Sequence, residues 1–238
     1  MWNYLLESFR QANVEKRFFV DQQLSWEVSL KNYQFGYPTR CNACISISEC
    51  ELKVQPYFKN GGHIKLMLVG QDPTIFKKPE RVKHVLMLDQ ENSQLSRWLK
   101  GIFGLKTFSN LTIYATNLVK CSFLEPPSLK DKGGLSFLKP HFENCKEHLK
   151  KELSLYRPTL VLTLGGPTHK LFRTALDDPE KAKETMKESF SGSFLRVRVN
   201  GFEFDYSPCL HIKTFRVAEV YGDSVKIFKG GLKKILKK

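Results

Sequence analysis

The sequence lacks long apolar runs, internal repeats and low-complexity segments. A helix that crosses a membrane needs roughly 20 predominantly apolar residues, and no stretch of this chain approaches that length. Charged residues also occur too early in the N-terminal segment for a secretory signal. These absences predict a soluble protein that stays in the cytoplasm and does not associate with a membrane.

Acidic residues are few for a chain of this size. Asp and Glu number 24 against 38 Lys and Arg, which gives a formal net charge of +14. Such an excess attracts polyanions, nucleic acid first and anionic membrane second. With 238 residues, 41% of them hydrophobic, the chain can bury one sizeable core. We therefore predict one monomeric domain over residues 1–238, with a helical segment over residues 1–40 and a basic C-terminal helix over residues 222–238.

The basic C-terminus has two interpretations. Apolar residues alternate with lysines over residues 226–238, a pattern that can anchor an amphipathic helix in a membrane surface. More often such a helix docks on its own domain and leaves a basic face in solvent. We favour the docked helix.

Apolar runs with β-type residues alternate with helical patterns along the chain. Strands are predicted at residues 65–69, 111–116, 159–164, 194–199 and 202–206, and helices at residues 93–102 and 142–156. This alternation favours a mostly parallel sheet with helices on both faces. The sequence therefore predicts an α/β fold with three layers, α/β/α.

The first predicted strand ends in a carboxylate. The run LMLVGQDPT, residues 66–74, passes from uncharged apolar residues directly to Gly70, Gln71, Asp72 and Pro73. Open α/β sheets bind ligands at the carboxyl ends of their strands, and Pro73 stiffens the loop that carries Asp72. Asp72 is therefore a candidate catalytic acid, although a turn carboxylate that caps a following helix explains the pattern equally well.

Six cysteines give a second clue. Cys41 and Cys44 form C-x2-C before the first sheet strand, Cys121 follows the second, and Cys145 lies near the start of a predicted helix. Since no export signal is recognised, a site with four thiolate ligands is favoured over disulfides. The C-x2-C pair suits zinc and iron–sulfur clusters alike, and Cys121 and Cys145 could also be ordinary buried thiols.

The motif YATNLVKC, residues 114–121, resembles the iron–sulfur branch of the uracil-DNA glycosylases, which has an asparagine and then a cluster cysteine at these positions. The preceding CNAC and the segment RPTLVLTLGGPTHKLF, residues 157–172, are similar to further parts of that family. The resemblance implies a uracil-DNA glycosylase-like fold around a central, mostly parallel, four-stranded sheet. It also implies a [4Fe–4S] cluster, in preference to zinc, held by Cys41, Cys44, Cys121 and Cys145.

The first motif departs from that branch. GQDPT is closer to the GQDPY of cluster-free uracil-DNA glycosylases, whose aspartate orients the attacking water, than to the GEAPG of the iron–sulfur branch. This second resemblance implies a water-directing role for Asp72 and places Gly70 and Gln71 beside the substrate. Thr74 stands where the tyrosine would exclude thymine, so its smaller side chain predicts room for a 5-substituted pyrimidine.

The remaining family positions match less closely. Asn117 corresponds to the asparagine that reads the base, although at a strand end this residue type is also a common turn former. The family's histidine–proline pair is replaced by Ser207 and Pro208, and a histidine follows at His211. Either Ser207 has replaced the histidine or His211 has taken over its catalytic role. A structural role for His211 is the plain alternative.

Two further sets of residues follow from the same resemblance. Phe76 and Met87 are candidates to stack on the base. The candidates for DNA contact, which would hold the backbone and fill the vacated stack, are Ser207, Leu210, Lys213 and Arg216. Alternatively, the segment over residues 210–213 packs against the C-terminal helix.

The function implied is hydrolysis of the N-glycosidic bond of a pyrimidine, uracil or a 5-modified base, in single-stranded or double-stranded DNA. A base in a duplex must be flipped out, and the reaction leaves an abasic site. A 5-modified substrate would make defence against phages with altered DNA an alternative to repair. Two other hypotheses remain: a catalytically inactive DNA-binding protein on the same scaffold, and a zinc-stabilised nucleotide-binding enzyme that uses GGPTH, residues 165–169, as a phosphate loop.

Overall fold

A computed structural model describes residues 50–51, 54–73, 82–123, 125–131, 134–176, 184–211 and 222–237. The chain divides into two compact units, residues 1–40 and 41–238, and every described residue lies in the second. The helical segment predicted over residues 1–40 is therefore outside the described residues. None of the described helices combines the length and the apolar composition that a membrane-spanning segment needs.

A six-stranded sheet forms the centre of the described structure, and a two-stranded ribbon is separate from it. The strands are β1 (Cys50–Glu51), β2 (Tyr57–Lys59), β3 (Lys65–Gly70), β4 (Thr112–Asn117), β5 (Ser122–Phe123), β6 (Leu160–Leu164), β7 (Leu195–Val199) and β8 (Phe202–Cys209). The sheet has the order β2-β4-β3-β6-β8-β7, and the ribbon pairs β1 with β5. The inner strands β4, β3, β6 and β8 are parallel, and the edge strands β2 and β7 are antiparallel to their neighbours.

The described helices are α1 (Gln94–Phe103), α2 (Leu105–Ser109), α3 (Leu135–Tyr156), α4 (Gly166–Ala175), α5 (Met186–Ser189) and α6 (Asp223–Ile235). Local chemistry explains where two of these helices begin. The Ser93 hydroxyl caps α1 by accepting from the N–H of Ser96. Helix α3 begins at residue 135 instead of 142 because Pro140 is accommodated inside it, a position where proline normally ends a helix.

Helices cover both faces of the sheet. On one face α1 and α6 pack on the strands, and this core includes Leu66, Leu99, Leu162 and Phe228. On the other face the hydroxyl of Tyr156 in α3 shares its one proton between two main-chain oxygens, that of Leu66 in β3 at 3.2 Å and that of Thr112 at the start of β4 at 3.0 Å. The predicted three-layer α/β fold is confirmed, and its four parallel strands gain two antiparallel edge strands.

Helix α6 is docked on the domain. Its apolar residues Phe228, Leu232 and Ile235 are buried in the core. Lysines of the same helix, including Lys229 and Lys233, are exposed. This arrangement matches the docked interpretation of the basic C-terminus.

Candidate functional site

The carboxyl ends of β3 and β4 are joined by main-chain hydrogen bonds. Gly70 lies opposite Asn117 in the parallel register. Beyond the strands, the N–H of Leu118 donates to Gly70 O at 2.9 Å, and the N–H of Val119 donates to Gln71 O at 3.0 Å. The first and second sequence motifs therefore meet at one edge of the sheet in a fixed register.

The side chain of Asn117 lies directly over Gly70. A Cβ atom placed on Gly70 would overlap Oδ1 of Asn117 and would lie 2.8 Å from Cδ2 of Leu86. Asn117 is only 2% exposed, and its Oδ1 has no hydrogen-bond partner within the described structure. A buried polar atom without a partner costs about 1–3 kcal/mol. A ligand N–H that reached this oxygen would remove that cost.

Asp72 follows immediately at the same edge. The amide Nε2 of Gln71 donates to Oδ1 of Asp72 at 2.8 Å. Both side chains are half-buried, and Pro73 behind them is buried. The hydrogen bond from Gln71 limits the rotation of the carboxylate, so Asp72 has a defined orientation at the mouth of the site.

A strained turn forms another wall of the site. The 3-10 turn Val85–Met87 holds Leu86 at φ 61° and Met87 at φ 52°, a left-handed conformation that costs about 1–2 kcal/mol per residue. Its start is fixed because the N–H of Val85 donates to Gln55 O at 2.7 Å. Strain of this kind is concentrated at functional sites.

Leu86 is the member of this turn that contacts Gly70. The sequence analysis did not name Leu86 as a site residue. Met87 was the candidate for contact with the base, yet the side chain beside Gly70 and Asn117 belongs to Leu86. No sequence signal identifies Leu86, because leucine has no preference for the left-handed conformation it adopts here.

His211 lies at the same edge, at the end of β8. The N–H of Gly165, which follows β6, donates to Cys209 O at 2.8 Å. A Cβ on Gly165 would lie 3.9 Å from Cβ of His211. His211 is exposed. Because β6 lies between β3 and β8, the structure brings His211 to the edge that carries Asp72 and Asn117.

Two residues predicted to contact DNA are buried instead. Strand β8 continues to Cys209, three residues beyond its predicted end at residue 206. Ser207 therefore lies within the strand, 1% exposed, and its hydroxyl donates to Ser193 O at 3.1 Å. Leu210 is 3% exposed and belongs to the core that α6 covers. Their burial removes both from the candidate DNA surface and places Leu210 in the same core as Phe228 and Leu232 of α6.

Several predicted site residues lie outside the described part of the chain. They are Cys41, Cys44, Thr74, Phe76, Lys213 and Arg216. Their predicted roles stay predictions.

Cys121 and Cys145 lie in one buried region. They are 1% and 0% exposed, and the N–H of Lys120 donates to Sγ of Cys145 at 3.5 Å. Pairing of β1 with β5 sets Cys50 opposite Phe123, two residues after Cys121. Among the described residues, no three His, Cys, Asp or Glu side chains form a metal-binding group. The described residues thus contribute two buried thiols, and the metal site stays a prediction.

The histidine of GGPTH has a structural environment. His169 is 3% exposed, and its Nδ1 lies 2.6 Å from the hydroxyl of Tyr206, which also bonds Thr163. Burial, with a contribution from the charge of Arg173, lowers the pKa of His169 to about 4. The ring is therefore neutral near pH 7, and it joins α4 to β8. This placement leaves the phosphate-loop hypothesis without support.

Comparison with known families agrees with this geometry. A family model described as the uracil DNA glycosylase superfamily matches residues 56–213, more than half of the chain. The chain belongs to the uracil DNA glycosylase superfamily. Comparison with curated proteins finds no match. The matched range contains Gly70, Asp72, Asn117, Cys121, Cys145 and His211. Members of this superfamily are typically DNA glycosylases, and membership confirms the family and fold that the sequence predicts, while the branch stays a prediction.

Proposed function

We propose that this protein is a monofunctional DNA glycosylase that hydrolyses the N-glycosidic bond of a flipped-out pyrimidine, either uracil or a 5-modified base, and leaves an abasic site. The observation that carries the proposal is the buried Oδ1 of Asn117, which lacks a partner in the described structure and lies over Gly70. Superfamily membership supports DNA as the partner. The basic charge of the chain supports contact with phosphates.

Asn117 would recognise the pairing edge of the base. Its Oδ1 requires an N–H donor, which uracil offers at N3 and a cytosine derivative offers at N4. The amide nitrogen of the same side chain would donate to a base carbonyl. Since glycine is the one residue that leaves room for this amide, Gly70 contributes to recognition through the absence of a side chain.

Asp72 would act on the sugar and the water. Rupture of the C1′–N bond builds positive charge on the sugar and negative charge on the departing base. A carboxylate near the sugar stabilises the first charge and orients the attacking water, and Gln71 holds Asp72 in one orientation for this task. His211, at the end of β8, would donate a hydrogen bond to the departing base.

Leu86 would form the apolar wall beside the base. Its Cδ2 lies 2.8 Å from the point that a Cβ of Gly70 would occupy, close to Oδ1 of Asn117, and it is held there by a strained turn. An aliphatic wall offers less stacking than an aromatic one and adapts more readily to base shape. Together with the small Thr74, it supports a 5-modified pyrimidine, and thus defence against modified phage DNA, beside uracil repair.

The proposal includes a [4Fe–4S] cluster held by Cys41, Cys44, Cys121 and Cys145. The burial of the last two and the N–H···S bond to Cys145 support it. A bound cluster would supply structural cross-linking of the loops around Asn117, since hydrolysis of an N-glycosidic bond needs no electron transfer.

The test is base release from matched DNAs that contain uracil, thymine, 5-hydroxymethylcytosine or glucosylated 5-hydroxymethylcytosine. Asp72→Asn is the inactive variant, and Asp223→Asn, an exposed carboxylate on α6, is the matched control. Release of at least one base by the wild type and by Asp223→Asn, but not by Asp72→Asn, supports the proposal. Tight DNA binding without release from any of these substrates contradicts it and favours the inactive DNA-binding scaffold.

A further inference from the structure

Lys120 and Glu152 form an ion pair in the interior, between the end of β4 and helix α3. The ammonium Nζ of Lys120 lies 2.7 Å from Oε2 of Glu152, and the two side chains are 3% and 0% exposed. The same Nζ donates to Oγ1 of Thr116 at 2.7 Å and to the main-chain oxygen of Asn117 at 2.7 Å. All three N–H groups of the ammonium are therefore used.

Glu152 is equally well satisfied. Its second oxygen, Oε1, accepts a hydrogen bond from Oγ1 of Thr116 at 3.2 Å. Lys120, Glu152 and Thr116 thus form a closed network with every charge paired. A buried ion pair contributes little net stability compared with apolar residues of the same volume. Stability alone therefore does not account for two charges at this place, whereas a fixed local geometry does.

Lys120 contacts both Asn117, the proposed base-recognition residue, and Cys145, a proposed cluster ligand. Its side chain holds the carbonyl of Asn117, and its main-chain N–H donates to Sγ of Cys145. This main-chain carbonyl belongs to Asn117, whose side-chain oxygen Oδ1 would accept a hydrogen bond from the base. Movement of the ammonium would therefore change the direction of that amide, and so would displacement of Cys145.

We propose that Lys120, held by Glu152, is a positioning residue that fixes the end of β4 so that the amide of Asn117 faces the base. The inference rests on the proposed glycosylase function for its kinetic consequences, but the position of the Asn117 amide can be measured without any reaction. Asn117 makes the contact with the base, and Lys120 acts through it.

The experiment compares Lys120→Met, the double variant Lys120→Met/Glu152→Gln, and Lys146→Met. The double variant leaves no unpaired buried charge, so it keeps the fold where the single variant loses it. Lys146 pairs with Glu143 on the exposed side of α3 at 3.1 Å and is the matched control. Thermal unfolding measurements show which of these variants are folded, and only those are compared. The side-chain amide resonance of Asn117, identified by its loss in Asn117→Ala, reports the position of the amide.

In folded variants at residue 120, we expect the Asn117 amide resonance to shift. We also expect kcat for base release to fall on the order of tenfold to a hundredfold, while KM and affinity for abasic-site DNA stay within about twofold of wild type. Lys146→Met should change none of these. An unshifted resonance with wild-type kcat in a folded variant would overturn the inference. If the wild type itself releases no base, the proposed function fails, and the resonance alone decides the positioning role.

Discussion

The side chain of Asn117 occupies the space that a Cβ atom on Gly70 would need. The two residues face each other in neighbouring parallel strands, and hydrogen bonds beyond the strands keep them in register. The absence of a side chain at Gly70 thus leaves the room that the buried amide of Asn117 occupies.

We expect Gly70→Ala to displace the amide of Asn117. The added methyl group overlaps Oδ1, so kcat/KM for base release should fall on the order of a hundredfold, with a loss of about 1–3 kcal/mol in the free energy of unfolding. Single-turnover base release and urea unfolding measure the two effects.

The matched control is Gly101→Ala in α1, where an added Cβ meets nothing within 4 Å. It should raise the free energy of unfolding by about 0.5–1 kcal/mol and leave base release unchanged. Equal activity of Gly70→Ala and wild type would contradict the close packing of Asn117 over Gly70.

Asn117→Ala should separate stability from activity. Removal of a buried oxygen that lacks a partner relieves a cost of about 1–3 kcal/mol, which offsets the loss of packing. The free energy of unfolding should therefore stay within about 1 kcal/mol of wild type, while base release is lost. Chemical denaturation and release of base from uracil-containing DNA test this. A large loss of stability would instead assign Asn117 a structural role.

The pH dependence of stability should report on His169. Its pKa is lowered to about 4 in the folded protein by burial, from an ordinary value of 6.5. The unfolded chain therefore binds more protons between about pH 4 and 6.5, and stability should fall as the pH is lowered through that window. Urea unfolding across this range measures the slope.

His169→Asn should flatten this slope, because the group that titrates is gone. Urea unfolding of wild type and His169→Asn at the same pH values gives both slopes. Identical slopes for wild type and His169→Asn would show that His169 does not contribute to the pH dependence of stability.

Loss of either buried thiol should remove iron from the protein. Cys121→Ser and Cys145→Ser are expected to lower the iron and sulfide content and the visible absorbance of anaerobically purified protein. Cys209→Ala serves as the comparison, because Cys209 lies in the core at the end of β8 and should keep the full iron content. A colourless wild-type protein that contains zinc would exclude the cluster and keep the thiolate site.

The parallel strands were predictable because their burial on both faces leaves nearly continuous apolar runs. Strand β2 was not predictable, because its three residues are half-buried at the edge of the sheet and form no apolar run. The strand order that sets Gly70 beside Asn117 depends on long-range pairing, which no local pattern contains. The conformation of Leu86 depends on tertiary contacts such as the hydrogen bond from the N–H of Val85 to Gln55 O. Ser207 was misplaced because a buried strand continued past its predicted end.

The hydrogen bonds from Leu118 and Val119 to the first motif involve main-chain atoms alone. No substitution at the four joined positions removes them unless it introduces proline or distorts the backbone. The frame of the site is therefore insulated from changes in the side chains that line it. Under the proposed function, replacement of Gln71 or Leu86 during evolution would reshape the space offered to a base while the frame stays in place. In a DNA glycosylase, such an arrangement would let few substitutions change which base is released and would allow a lineage to follow changes in the DNA that it encounters.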